Sequence, residues 1–161
     1  MPVGRKTSIA IPTVILRSKN REIKFSFLRG LADTDFSLTF QKKNKNRHFY
    51  PILKTALVSE EVVRDSARLL KENGFKVHIE IGRKNYDKRT RKFYITNCLY
   101  MSGKRNLELW MKMIGFNNPK NITKYQIWKK FSFCPPRTSL SQRKSILTNK
   151  LNPNLLYAPD G

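Results

Sequence analysis

Apolar positions recur along this chain with two different periods, and the switches between the two divide it into elements. Over 22–34, Phe27, Leu28 and Leu31 fall at helical spacing and can face a core. On another side of that helix Ser26, Gly30, Asp33 and Thr34 sit at i, i+4, i+7 and i+8, a face of small or short side chains. Helices approach closely only where side chains are small, so this face suits a second helix at short range. From 36 to 41 the period falls to two, with Phe36, Leu38 and Phe40 on one side and Ser37, Thr39 and Gln41 on the other. That is the pattern of a strand with one buried face. Lys42 to His48 reads as a polar, basic hairpin loop. A second strand follows over roughly 49–57, with Leu53, Thr55 and Leu57 inward and Lys54 outward.

Ser59 caps the next predicted helix, 60–73. Glu60 and Glu61 make its first turn acidic, Val62, Val63, Ala67, Leu69 and Leu70 form its buried side, and Gly74 ends it. Alternation returns over 75–82, where Val77, Ile79 and Ile81 oppose Lys76, His78 and Glu80. Arg83 to Arg91 reads as a second basic loop before a strand near 92–100. A helix around 104–114 carries Leu107, Trp110, Met111 and Ile114 and stops at Gly115; another near 121–131 carries Tyr125, Trp128 and Phe131. Beyond Cys134-Pro135-Pro136 the periodicity is lost, and 135–161 reads as an extended C-terminal arm. Helices beside a meander of antiparallel strands indicate an α+β fold, one domain over 1–161, with the helices on one face of a curved sheet. The other face is left polar and basic.

Composition sharpens that picture. The 161 residues are 39% hydrophobic and 11% aromatic, enough for one real core rather than a disordered basic tail. Thirty-three Lys and Arg stand against 11 Asp and Glu, a formal net charge of +22. A compact domain with that excess attracts polyanions, and nucleic acid is the first candidate. No membrane is implied, because there is no long apolar span. Cys98 and Cys134 lie far apart, and with His48 and His78 they match no zinc spacing. The start, Met1 to Lys6, is basic without the apolar run of a secretory signal, so the expected location is cytoplasmic or organellar, not secreted. In that setting the sequon Asn121-Ile122-Thr123 carries no weight.

Two of the few carboxylates, Asp33 and Asp35, stand at the end of the first helix, where the dipole is already negative. The plain reading is a helix end with solvated aspartates. The sharper one is a bound divalent cation that compensates them, as in Mg²⁺-assisted phosphodiester hydrolysis. On the open sheet face Ser37, Thr39 and Gln41, with Lys43 and Arg47 in the hairpin, are the leading candidates for DNA contact; Lys54, Lys76, His78, Arg83, Tyr94 and Thr96 follow. A β-ribbon fits the major groove, where such side chains can pair with base edges.

Leu28-Arg29-Gly30-Leu31-Ala32-Asp33-Thr34-Asp35 resembles the LAGLIDADG motif through its eighth position, with Arg29 at the second position and Phe36 in place of the closing glycine. The order of elements is similar to the αββαββα core of LAGLIDADG homing endonucleases over roughly 22–131, followed here by an extra helix and the tail. The resemblance implies a double-strand DNA endonuclease that uses Mg²⁺, or another divalent metal such as Mn²⁺. Asp35 then corresponds to the metal ligand, with the Thr34 carbonyl near the metal, and Asp33 to a helix-end acid. Lys120, in Ile114-Gly115-Phe116-Asn117-Asn118-Pro119-Lys120, corresponds to a lysine near the scissile phosphate. One copy of the motif implies a homodimer joined along Ser26, Gly30, Asp33 and Thr34, acting on a long, roughly palindromic site. The alternatives are a maturase that binds its intron RNA, or a non-catalytic DNA-binding protein of the same fold.

Overall fold

The computed structural model describes residues 10–157. The basic start and the last residues of the arm lie outside the described residues. A short helix α1 (Thr13–Leu16) leads into α2 (Arg21–Asp35), which is followed by β1 (Ser37–Gln41), β2 (Tyr50–Leu57), α3 (Glu60–Glu72), β3 (His78–Asp87), β4 (Lys92–Ser102), α4 (Lys104–Met113), α5 (Pro119–Phe131) and α6 (Leu140–Leu147). A 3₁₀ turn, Pro153–Tyr157, comes last. The fold is α+β, with one antiparallel four-stranded sheet in the order β1-β2-β4-β3.

Local chemistry sets the helix ends. Asn20 caps α2, Ser59 caps α3 and Asn118 caps α5, each accepting a backbone N–H of the first turn. Alternation sets the sheet. Leu38, Phe40, Leu53, Thr55, Leu99 and Met101 are buried against the helical layer, and the register places them on one side. Phe25, Leu28 and Ala32 of α2, Val63 and Leu70 of α3, and Trp110 of α4 complete the core. Phe36 is buried and stacks on Trp110 with ring centroids 5.6 Å apart. Arg29 turns away from the small side chains of α2 and donates its Nε–H to the Ile114 carbonyl at 2.6 Å.

Two expectations need correction. Residues 83–87 are strand, not loop: β3 runs through Asp87, and only 88–91 turn. The cause is a bulge between Glu80 and Arg83, where Gly82 (φ +73°) donates its N–H to Asn97 Oδ1. A bulge shifts the phase of alternation by one residue, and past the core both faces of this hairpin meet solvent, so charge no longer marks a loop. The arm, in turn, is not extended. Ser139 and Gln142 form a capping box that starts α6, and Arg143 and Ile146 of that helix are buried against the rest of the chain. With so few buried positions, helical periodicity was too faint to read.

Candidate active site and nucleic-acid interface

The end of α2 is laced to the start of α5. Asp33 Oδ1 accepts the backbone N–H groups of Asn117 at 2.8 Å and Asn118 at 2.9 Å, and Asn118 returns its Nδ2–H to the Asp33 carbonyl at 2.9 Å. Asn118 Oδ1 also accepts the N–H of Lys120. Farther along, buried Asn121 accepts the Leu38 N–H and donates to the Phe36 carbonyl, and Lys124 Nζ donates to the Leu38 carbonyl at 2.9 Å. These side chains satisfy the outer edge of β1, which would otherwise be an open template for another strand. Asn121, part of the sequon, is thus a structural strap that sequence reasoning missed; its only signal was a polar residue on the inner side of a helix.

This lacing brings two candidate residues to one place. Asp35 is two residues beyond Asp33, and Lys120 two beyond Asn118, so both flank the same hydrogen-bonded joint. Asp33 is committed within the subunit. Its carboxylate holds the α4–α5 linker and is not left for a metal or for the small face of α2. Asp35 is exposed; among the described residues its carboxylate accepts the neighbouring Thr34 hydroxyl alone, at 2.8 Å, while its carbonyl is fixed by the buried Thr55 hydroxyl at 3.1 Å. With the carbonyls on either side claimed by Asn118 and Thr55, the Thr34 carbonyl is the oxygen that can accompany the Asp35 carboxylate. A carboxylate and a carbonyl are hard oxygen donors, the chemistry that suits Mg²⁺. Among the described residues no group of three His, Cys, Asp or Glu is placed to hold a metal ion.

On α2, Ser26, Gly30 and Thr34 are exposed, and a Cβ built on Gly30 meets no atom within 4 Å. Ile23, 46% exposed, extends the same stripe. Among the described residues, the small face is therefore open at Gly30 and exposed along its length.

The open face of the sheet gathers most of the other candidates. Strand register puts Ser37, Thr39 and Gln41 of β1 on one face with Lys54 of β2, which pairs with Ser37, and pairs His78 with Tyr100, Arg83 with Thr96 and Asn85 with Tyr94 across β3 and β4. Lys76 is exposed just before β3. His78 stacks on Tyr100 at 5.2 Å, and Asn85 donates to Thr96 Oγ1 at 2.8 Å. Tyr100 and Asn85 belong to this face and were missed, Asn85 because the bulge hid its phase. Lys43, in the hairpin, lies with its Nζ 3.6 Å from the centre of the Tyr50 ring. Arg47 is set apart. Its guanidinium lies over Tyr157 at 4.4 Å and its Nε donates to Asn154, so it fastens the C-terminal segment to the hairpin.

Charge is barely neutralised. Among the described residues four ion pairs form, Arg64–Glu60, Arg68–Asp65, Arg83–Glu80 and Lys129–Glu108, and only Arg83–Glu80 falls on the open face. Such a surface draws polyanions. No described helix is long and apolar enough to cross a membrane. No family model and no curated protein matches this chain.

Proposed function

We propose that this chain is one subunit of a homodimeric LAGLIDADG homing endonuclease that hydrolyses both strands of a long, roughly palindromic DNA site with a divalent metal, Mg²⁺ or a substitute such as Mn²⁺. The observation that carries the reading is the exposed Asp35 carboxylate at the α2 terminus, two residues beyond the Asp33–Asn118 joint that also precedes the exposed Lys120, at the margin of a cationic sheet face. The order α2-β1-β2-α3-β3-β4-α4 and the sheet order β1-β2-β4-β3 accord with the αββαββα core that the motif implies.

Asp35 and the Thr34 carbonyl would hold the metal, which when bound supplies a Lewis acid and lowers the pKa of a coordinated water. Lys120 places positive charge beside the phosphate and offsets the negative charge that grows in the transition state. Lys and Arg on the sheet and its hairpins bind phosphates, while Ser37, Thr39, Gln41 and Thr96 pair with base edges. The two symmetric halves of the site follow from two identical subunits.

The test is digestion of a randomised-site duplex library with and without Mg²⁺, using wild type and Asp35→Asn. Wild type should cut in a Mg²⁺-dependent manner. Asp35→Asn should lose cutting by at least about a hundred-fold, the scale of removing one transition-state contact, while retaining most of its DNA affinity. Undiminished cutting by Asp35→Asn removes the proposed site.

A further inference from the structure

Beside the β1 edge lies a cleft of about 450 Å³ whose lining includes Leu38, Thr39, Lys120, Lys124, Arg137 and Arg143. No carboxylate lines it, and among the described residues none of its Lys or Arg side chains enters an ion pair. That concentration of unpaired cations includes one taken out of water: Arg143 is 4% exposed. Its Nε donates to Thr123 Oγ1 at 2.8 Å and its Nη1 to the carbonyl and hydroxyl of Thr138. All of these acceptors are neutral, and Arg143 lines the cleft. A buried guanidinium without an anion is costly, and an anion brought to it recovers that cost.

Three further observations bear on where such an anion would sit. Arg137 sits at φ +56°, a left-handed conformation rarely adopted by non-glycine residues, at the turn that brings its side chain to the cleft. Thr39 lines the cleft and also belongs to the open face of β1, so the cleft is continuous with the flank of the sheet. The Lys124 ammonium is pushed below its ordinary pKa by burial and by Arg143 and Lys120, as expected where like charges are held together awaiting a counter-charge.

We propose that this cleft clamps one backbone phosphate of duplex DNA lying across the sheet, with Lys124, Arg137 and Arg143 as its ligands. The folded C-terminal arm is then part of the DNA-binding surface rather than an appendage. The inference rests on the reading of the open sheet as a DNA face.

The experiment measures binding to a short duplex of random sequence, without divalent metal, across a range of KCl concentrations. It compares wild type, Arg137→Gly, Arg137→Lys and Lys71→Gln. Glycine adopts the left-handed conformation without strain, so Arg137→Gly should fold. Lys71, on α3 in the helical layer, controls for the loss of one charge. Arg137→Gly should reduce the slope of log K against log salt by about 0.9 and weaken binding roughly five- to ten-fold near 0.1 M salt, with Arg137→Lys close to wild type and Lys71→Gln unchanged. If Arg137→Gly matches Lys71→Gln while wild type binds, the clamp is wrong and the sheet reading survives. If wild type does not bind duplex DNA at all, both are overturned. Thermal protection by inorganic phosphate, lost in Arg137→Gly without any change in DNA slope, would mark a free-anion site and also overturn the clamp.

Discussion

Asp33 and Asp35 lie two residues apart at one helix end, yet their surroundings divide the roles between them. Asp33 receives two backbone N–H groups and is consumed by structure; Asp35 receives one hydroxyl and stays open to solvent. The substitution Asp33→Ala should therefore lower stability by about 2 kcal/mol, the scale for hydrogen bonds to a charged group. Urea unfolding followed by circular dichroism measures it. Asp33→Asn keeps an acceptor oxygen and should recover part of the loss, whereas Asp35→Asn should leave the unfolding midpoint nearly unmoved. Equal destabilisation by Asp33→Ala and Asp35→Asn would contradict this division.

Elements were legible where each had one buried and one open face. Leu38 and Phe40 against Thr39 and Gln41, or Val62, Val63, Leu69 and Leu70 in α3, carry a period strong enough to fix both element type and facing. Legibility failed where that two-sidedness ends. Tyr86, Phe93 and Ile95 are all at least half exposed, so the far part of the β3–β4 hairpin has no buried face to write a pattern, and the Gly82 bulge breaks the phase before it. The arm failed differently, since α6 buries only Arg143 and Ile146, and a buried arginine leaves no apolar mark in the pattern. Ile146 is fully buried in this helix. Ile146→Ala should thus cost about 2–5 kcal/mol, as for a core aliphatic residue, and should shift the midpoint for the whole domain in a single transition. A change near zero, or a separate early transition, would mean that the arm does not share the core. The candidate site was legible in part, and by a different signal. Asp35 stood out as an acid placed against a helix dipole, while the Asn118 and Asn121 straps depend on which helix end meets which strand edge, a tertiary fact that local spacing does not contain.

For the molecule as a whole, the proposed function turns on two features of α2, the lone exposed Asp35 carboxylate at its end and the exposed stripe of small residues along it. One subunit offers one carboxylate and one carbonyl, and the stripe Ile23, Ser26, Gly30 and Thr34 on the same helix is exposed with open space above Gly30. Pairing two copies along that stripe would bring two Asp35 side chains to one axis, which neither subunit achieves alone. Gly30→Trp separates folding from pairing. Among the described residues no atom lies within 4 Å of a Cβ at Gly30, and any residue but proline is favoured over glycine inside a helix, by up to about 1 kcal/mol. The variant should melt no lower than wild type at concentrations where wild type is monomeric. At higher concentration, or on DNA, wild type should sediment as a dimer and Gly30→Trp as a monomer that has lost double-strand cleavage. A Gly30→Trp protein that still dimerises and cuts would place the interface elsewhere. A wild-type complex with one chain per cleaved duplex would remove the symmetric site itself.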